Sequence, residues 1–362
     1  MEFIPMSKWE LGLDDFSVIA GPCSAETPEQ VMETALGVAQ QGAKMLRAGI
    51  WKPRTRPNSF EGVGSPGLKW LKEAGDATGL PVCTEVANVK HVYEALRTGI
   101  DVLWLGARTT TNPFAVQEIA DALEGVDIPV MVKNPVNPDI DLWIGAMERI
   151  EKAGITKIAA IHRGFSTYGP SKYRNAPHWE IPVELRRRLP DVPIICDPSH
   201  ICGRRDLLSA ISQEALDLNL DGLMIESHPN PDKALSDAKQ QITPEVLGEL
   251  LAGLIHREAV SNDPIFLHSL ENFRDQIDEF DRKLIEVIAE RMKVVRQIGE
   301  YKRDNNITIL QTSRWNQIID ERMEQARSLG LGEAIMREIL GQVHQESIRQ
   351  QTEVMNNQIE KH

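Results

Sequence analysis

Eight short apolar runs occur in the first 230 residues of the chain, and each ends in residues that can bind a metal ion or an anion. Most runs are followed by a segment with the apolar periodicity of a helix. Eight strand–helix repeats predict an α/β fold, the (β/α)8 or TIM barrel, whose active site lies where the parallel strands end. The runs are VIAGPC (18–23), KMLRAG (44–49), PVCTEV (81–86), VLWLGA (102–107), PVMVKN (129–134), KIAAIHR (157–163), PIICDPSH (193–200) and GLMIESH (222–228).

The chain is longer than a barrel needs. A barrel takes about 250 residues, and the chain has 362. The segment 242–259 is expected to be the last barrel helix, and no proline follows Pro264. From Leu270 to Ile298 apolar residues recur mostly every three or four positions, which predicts an amphipathic helix of about 35 residues. Two further helices are expected at 311–328 and 332–357.

The predicted organisation is therefore a barrel (1–259), a linker (260–266) and an all-α three-helix domain (267–362). A helix of this length cannot bury its apolar stripe against two short helices alone. We therefore expect the helical domain to form a homodimer through its first helix. The pairing of dimers into a tetramer remains an open alternative.

Composition and charge indicate the compartment of the protein and exclude some classes of partner. The formal net charge of −13 argues against nucleic acid as a partner, because binding to its backbone needs a basic face. No apolar run is long enough to span a membrane, and the N-terminus lacks the basic and apolar segments of a signal peptide. The four cysteines show no scaffold spacing. These features predict a cytoplasmic protein with neither a nucleic-acid nor a membrane partner.

Four potential metal ligands lie at the predicted strand ends or just beyond them. Cys23 closes the first strand, His200 the seventh and Glu226 the eighth, and Asp237 follows in the next loop. A lone cysteine in a strand is more often a core residue. Four such residues on one rim favour a mixed sulfur, nitrogen and oxygen site for a transition metal.

Cationic residues share the same rim. In an acidic protein they are expected to face an anion, and a phosphorylated carboxylic acid would supply one, since arginine binds phosphate or carboxylate in a forked manner. Ordinary surface ion pairs are the alternative interpretation. The five residues are Arg47, Lys52, Arg108, Lys133 and Arg163.

The strand-end motifs resemble those of the 3-deoxy-D-arabino-heptulosonate 7-phosphate (DAHP) synthase family, in order over about residues 15–245. The likeness is greatest to its short subclass, whose barrel has no N-terminal regulatory extension. The resemblance implies condensation of phosphoenolpyruvate with erythrose 4-phosphate, the first step of aromatic biosynthesis. The motifs are GPCSAE (21–26), KPRT (52–55), GARTT (106–110), MVKNP (131–135), HRG (162–164), DPSH (197–200) and SHPNPDKALSD (227–237).

The resemblance also implies roles for individual residues. The four potential ligands would hold a divalent ion (Mn, Fe, Co or Zn), and the five cations would bind phosphoenolpyruvate. Arg54 and Thr55 would bind the phosphate of erythrose 4-phosphate, and Asp197 its hydroxyl groups. Lys52 is in addition a candidate for proton transfer, because it lies close in sequence to the metal-facing rim.

A sister family is the main rival. It uses arabinose 5-phosphate to make an eight-carbon sugar phosphate, and it shares GPC, the metal ligands and the cations. It typically has a KANRS-like segment where this chain has KPRT (52–55). KPRT therefore favours the four-carbon aldose.

Residues on the predicted helices also form a pattern. Arg291 and Lys302 are 11 residues apart, so they lie within about 20° of each other on one helix face. Arg274 precedes Arg291 by 17 residues, which places it about 100° around the helix and about 25 Å away. It can share a small ligand with them only across an antiparallel helix pair. Ser347 and Gln351 face the same way, since they are four residues apart. Solvated charges are the alternative interpretation.

The segment 267–355 resembles the helical chorismate mutase family through the pattern LxxFRxxIDxxDxxLIxxIAERMxVVxxIGxYK. The resemblance implies conversion of chorismate to prephenate, with Lys302 and Gln351 hydrogen-bonded to the ether oxygen that breaks from carbon. The chain departs from the commonest pattern at Gln311 and Trp315. The implied chorismate-binding residues are Arg274 of the partner subunit, Arg291, Lys302, Arg314, Ser347 and Gln351.

The two resemblances together predict a bifunctional enzyme. Its two reactions are not consecutive, so we expect the fusion to serve feedback regulation of the barrel rather than substrate transfer. The alternative is a helical domain that acts as a weakly catalytic sensor and dimerisation module.

Overall fold

The structure of the protein is a computed structural model that describes residues 3–52, 59–258, 260–309 and 312–356, without the side chains of 312–318. Arg54, Thr55 and Gln311 lie outside the described residues, as do the side chains of Arg314 and Trp315. The chain divides into two compact units, Met1–Ala259 and Val260–His362.

Eight parallel strands close into a barrel in sequential order, with β8 paired to β1 from Ser17↔Gly222 to Gly21↔Glu226. Each predicted apolar run overlaps one strand, so the predicted barrel is confirmed. The strands are β1 (Ser17–Gly21), β2 (Met45–Arg47), β3 (Val82–Val86), β4 (Val102–Leu105), β5 (Val130–Lys133), β6 (Ile158–His162), β7 (Ile194–Cys196) and β8 (Gly222–Glu226).

Helices surround these strands. Short 3-10 helices occur at Met6–Lys8, Arg205–Leu207 and Pro231–Lys233. The α-helices of the first unit are α1 (Pro28–Gln40), α2 (Pro66–Thr78), α3 (Val89–Thr98), α4 (Ala107–Thr110), α5 (Pro113–Ala122), α6 (Ile140–Lys152), α7 (Glu180–Arg188), α8 (Pro198–Cys202), α9 (Leu208–Asp217) and α10 (Pro244–Ala252).

Several helices begin where a capping side chain precedes a proline. The side chain of Asn112 accepts from the backbone N–H groups at the start of α5, and that of Thr243 does so for α10. Such a side chain accepts a hydrogen bond from a free N–H group, and the following proline has no N–H group that needs an acceptor. The helix expected over 242–259 is shorter in the structure, because α10 starts at this cap and ends before Gly253.

The barrel has two apolar layers. Side chains such as Met45, Met131 and Ile161 fill its interior, while the opposite strand faces pack against the helices. Met6 and Trp9 join the inner layer, and the N–H group of Ile4 donates to Thr156 O at 3.1 Å, just before β6. The N-terminal segment thus covers the end where the strands begin and leaves the opposite end for chemistry.

The described part of the second unit contains three helices, α11 (Pro264–Asp304), α12 (Thr312–Ser328) and α13 (Glu333–Asn356), so the predicted helical domain is confirmed. Helix α11 has 41 residues and starts inside the expected linker, where Asp263 caps it. Its second half packs on α13 through Met292, Val295 and Gly299. Among the described residues no helix is long and apolar enough to cross a membrane.

Candidate active sites

Closure of the barrel brings together three of the four predicted metal ligands. Cys23 lies two residues beyond β1, Glu226 ends β8, and Asp237 follows in the loop after β8. One potential ligand atom from each lies within 4.8 Å of those from the other two. The sulfur of Cys23 is 3.3 Å from Asp237 Oδ2.

His200, the fourth predicted ligand, stands beside this group. Its Nε2 atom is 3.7 Å from Glu226 Oε1, and its Nδ1 atom is 2.8 Å from Asp197 Oδ2. A carboxylate behind the imidazole is typical of metal-binding histidines, because it orients the ring and directs the other nitrogen forward. Burial lowers the pKa of His200, which favours the neutral imidazole that binds metals.

A buried acceptor shows that the group fits a cation. Glu226 Oε1 is buried and has no hydrogen-bond partner among the described residues, although Arg47 Nη2 is 3.3 Å away. An unsatisfied buried acceptor costs about 1–3 kcal/mol, a cost that a bound cation would remove. The thiol, imidazole and carboxylate donors suit a transition metal.

The buried guanidinium of Arg47 fits an anion in the same way. Its Nε and Nη1 atoms have no hydrogen-bond partner in the described part of the chain. The guanidinium carbon lies 5.0 Å from the ring centre of Trp104, and Lys133 Nζ lies 5.7 Å from it. Unsatisfied buried N–H groups of a guanidinium favour a bound anion such as a carboxylate or phosphate, and the indole ring stabilises both cations.

Asp197 has other partners than the predicted sugar hydroxyls. The carboxylate is fully buried, and its Oδ2 accepts from Lys133 Nζ at 2.8 Å. Its Oδ1 accepts from the N–H group of His200 at 3.1 Å. Burial alone would raise the pKa of Asp197, but His200 and Lys133 outweigh it and hold the pKa well below its usual value. The geometry supports an orienting role for Asp197, and the contact with sugar stays a prediction.

Three arginines cluster at the rim. Burial, with repulsion from Arg174 and Arg108, lowers the pKa of Arg163 to about 10 even though Asp197 opposes the shift. The Nη1 atom of Arg163 donates to Asn175 Oδ1 at 2.8 Å. Positive charges this close repel one another, so a bound anion would stabilise the cluster.

Lys52 lies against the group of potential ligands formed by Cys23, Glu226 and Asp237, which we call the metal cluster. Its Nζ atom is 3.0 Å from Cys23 Sγ. Burial would lower the pKa of Lys52, but the neighbouring Cys23 and Glu226 side chains raise it above its ordinary value. Lys52 is therefore protonated and can act as a proton donor.

Two residues of this site carried no signal in the sequence. Trp104 reads as an ordinary apolar strand residue, yet it lies under Arg47, and its Nε1 donates to Glu85 Oε2 at 3.1 Å. Arg174 lies in the long loop between β6 and α7, and its Nη1 is 3.0 Å from Asp237 Oδ1. An apolar run in the sequence indicates that its side chains are buried, but it cannot show which of them lies under a ligand.

The helical unit forms a second site between α11 and α13. Arg291 Nη1 donates to Ser347 Oγ at 2.6 Å. Gln351 is buried, and its Oε1 has no hydrogen-bond partner among the described residues. The two helices approach closely at Gly299, which has no side chain. A Cβ there would lie 3.3 Å from the Cα of Gln351. The structure thus brings together three of the predicted chorismate-binding residues.

The other two described residues of this set, Lys302 and Arg274, make other contacts. Lys302 Nζ donates to Ile309 O at 2.6 Å. The side chain of Arg274 is 63% exposed and lies 3.6 Å from Glu271. About 25 Å of helix separates Arg274 from Arg291 of its own chain.

Comparison with known proteins matches each unit to a family. Residues 5–258 match the DAHP synthetase I family, and residues 273–352 match the type II chorismate mutases. A phospho-2-dehydro-3-deoxyheptonate aldolase of Thermotoga maritima is 36% identical over 248 residues, which are 68% of this chain and 71% of that protein. A 2-dehydro-3-deoxyphosphooctonate aldolase of Paraburkholderia xenovorans is 26% identical, over 73% of this chain and 98% of that protein.

The fold matches solved structures as well. The crystal structure of the Thermotoga maritima DAHP synthase has a TM-score of 0.60 at 36% identity, and the match covers 66% of this chain and 67% of that one. A truncated form of the enzyme from the same organism has a TM-score of 0.58 at 34% identity, and the match covers 66% and 84%. The chain therefore belongs to the DAHP synthetase I family and carries a type II chorismate mutase domain at its C-terminal end.

Proposed function

We propose that the barrel is a metal-dependent DAHP synthase and that the helical domain rearranges chorismate in a site shared by two subunits. The observation that carries the first part is the pairing of two unsatisfied buried groups. Among the described residues Glu226 Oε1 has no hydrogen-bond partner, and the Nε and Nη1 atoms of Arg47 have no acceptor. A cation beside the first and an anionic substrate beside the second would satisfy both.

In this proposal Cys23, His200, Glu226 and Asp237 hold a divalent metal ion, drawn from Mn, Fe, Co and Zn. When bound, the metal would act as a Lewis acid for the aldehyde of erythrose 4-phosphate. The rim cations would hold the carboxylate and phosphate of phosphoenolpyruvate and stabilise the charge of the departing phosphate. These cations are Arg47, Lys52, Arg108, Lys133 and Arg163.

The condensation joins C3 of phosphoenolpyruvate to the aldehyde carbon. Lys52 Nζ would donate a proton to the former aldehyde oxygen, which its protonated state allows. Water then adds at C2 and releases a proton that restores Lys52. Phosphate leaves with the C2–O bond pair as the new C2 hydroxyl becomes a carbonyl and gives its proton to the phosphate. Asp197 would keep His200 and Lys133 oriented throughout.

Product identification tests the choice of aldose. The protein incubated with phosphoenolpyruvate and erythrose 4-phosphate is expected to form the seven-carbon sugar acid and phosphate. Arabinose 5-phosphate should react with a kcat/KM about 100-fold lower, because the pocket must reject an additional carbon and hydroxyl. The support for this choice is KPRT (52–55) and the higher identity to the Thermotoga enzyme. Preferential formation of the eight-carbon product would overturn it.

An exposed apolar face supports the dimer. Apolar residues in the first half of α11, four of them spaced three or four positions apart, expose more than half of their surface in the single chain. Large contiguous apolar patches are rare on monomeric soluble proteins. A second subunit that packs on this face would bury it and bring its own α11 beside this one. The four residues are Phe273 (62%), Ile277 (58%), Phe280 (67%) and Leu284 (55%).

We further propose that prephenate or chorismate in the helical domain inhibits the barrel. The support is the fusion of the barrel to a domain that binds a downstream metabolite. A coupling of about 1–3 kcal/mol is typical of such regulation, so saturating prephenate is expected to weaken substrate binding about 5- to 150-fold.

Two variants test this inhibition. A chain cut near Asn262 should give an active barrel that prephenate does not inhibit. In the full chain, Arg291→Ala should remove the inhibition and leave basal synthase activity intact, which controls for damage caused by the cut. A truncated barrel that prephenate still inhibits would exclude the helical domain from the mechanism.

A further inference from the structure

Two consecutive glutamines lie buried beside the metal cluster. Gln240 and Gln241 follow the turn after Asp237, and their exposed fractions are 1% and 0%. Glutamine is mostly a surface residue, and a buried amide must find hydrogen-bond partners to offset its desolvation. The partners of both amides are parts of the metal site.

Gln240 connects two of the proposed ligands. Its Nε2 donates to Glu226 Oε2 at 2.7 Å, and its Oε1 accepts from Arg174 Nη1 at 2.7 Å. The same nitrogen of Arg174 donates to Asp237 Oδ1 at 3.0 Å. A single amide thus fixes one carboxylate directly and the other through a guanidinium.

The hydrogen bond from Gln240 gives the two oxygens of Glu226 different environments. Oε2 is engaged by the amide. Oε1 has no hydrogen-bond partner in the described chain and lies 3.3 Å from Arg47 Nη2 and 3.7 Å from His200 Nε2. An amide is neutral, so it orients the carboxylate without cancelling the charge that attracts a cation. A lysine at position 240 would compete with the metal for that charge.

Gln241 fixes the backbone of the third ligand, Cys23. Its Oε1 accepts from the backbone N–H group of Cys23 at 2.9 Å, and its Nε2 donates to Ser236 O at 2.8 Å. Ser236 precedes Asp237, and its Oγ atom is 2.8 Å from that of Ser24. The end of β1 is therefore joined to the loop after β8.

We propose that Gln240 and Gln241 are positioning residues that hold Cys23, Glu226 and Asp237 in a metal-binding arrangement before the metal arrives. This inference rests on the metal centre proposed above. A rigid, preoriented ligand set binds its metal more tightly than one that must be ordered on binding, and residues behind the ligands contribute about 10- to 100-fold in affinity.

The affinity of the full-length protein for Co²⁺ tests this role independently of turnover. Gln240→Met keeps a similar length but removes both hydrogen bonds. Chelator competition is expected to show Co²⁺ binding weakened about 10- to 100-fold. The visible absorption bands of bound Co²⁺ should also shift, because they report ligand geometry. If Gln240→Met does not fold, Gln240→Asn, whose shorter amide cannot span both partners, makes the same test.

Gln213 provides a matched control. It lies in α9, where its amide also makes hydrogen bonds in two directions, to Asp217 and to the backbone of Ile255. Gln213→Met should leave Co²⁺ affinity and absorption unchanged. An equal loss in both variants, or a folded Gln240 variant that binds Co²⁺ as the wild type does, would overturn the positioning role. If the wild-type protein binds no Co²⁺, the metal centre itself is refuted, and the role of the glutamines with it.

Discussion

Treatment with a chelator, or the substitution Cys23→Ala, is expected to abolish the synthase activity and to leave the mutase activity at its wild-type level. A Lewis acid contributes several kcal/mol to such a transition state, so the loss should be about 10³-fold or more. Steady-state assays of both reactions on the same preparation measure the two effects side by side. The mutase is spared because a pericyclic rearrangement needs no metal.

Binding measurements locate the defect. Arg47 and Lys133 lie beside Trp104 and are not metal ligands, so phosphoenolpyruvate should still bind to the metal-free protein. Cys196→Ala is the matched control, since Cys196 is equally buried but packs in the outer apolar layer. It should retain the synthase activity. Metal-free protein that condenses the substrates at the full rate would show that the metal assignment is wrong.

The barrel could be predicted from sequence because its strands are buried on both faces. Every residue of β1, β6 and β8 is buried, so each strand reads as a continuous apolar run. The order of strand ends then places Cys23 beside Glu226, since a closed barrel must pair its last strand with its first. The proximity of these two ligands follows from topology alone.

The supporting contacts of the site could not be predicted in the same way. Asp197 follows a strand and was expected to face the sugar, but only the packed structure shows that His200 and Lys133 occupy its oxygens. Arg174 reaches the metal cluster because its loop crosses Gly203, where a Cβ would lie 2.5 Å from the Cβ of Arg174. Such contacts depend on loop paths, for which a sequence has no periodic signal.

For the helices, existence could be predicted from the sequence, but the exact ends could not. The periodic apolar pattern of α11 predicted its existence and the exposed face that a partner would cover. Its start at Pro264 and the early end of α10 at Ala252 depend on the cap at Asp263 and on Gly253. Local capping chemistry overrides a propensity pattern within a turn or two.

Mutase activity is expected to reappear when two inactive variants are mixed. Arg274→Ala and Gln351→Ala homodimers should each lose about 100-fold or more in kcat, because each lacks a group that stabilises developing charge. If each site takes Arg274 from one subunit and Gln351 from the other, a mixed dimer has one site with both lesions and one with neither. Random exchange makes half of the dimers mixed, so activity should recover to about one quarter of wild type in a two-fold dimer.

The structure supplies the control for this experiment. Arg291 and Gln351 belong to the same chain in the site between α11 and α13, where Arg291 Nη1 is 2.6 Å from Ser347 Oγ. A mixture of Arg291→Ala with Gln351→Ala should therefore regain no activity, because every site in a mixed dimer carries one lesion. Differently tagged chains establish that subunits have exchanged. With exchange established, no recovery from the Arg274 and Gln351 pair would confine Arg274 to its own chain, where about 25 Å of helix keeps it from Arg291.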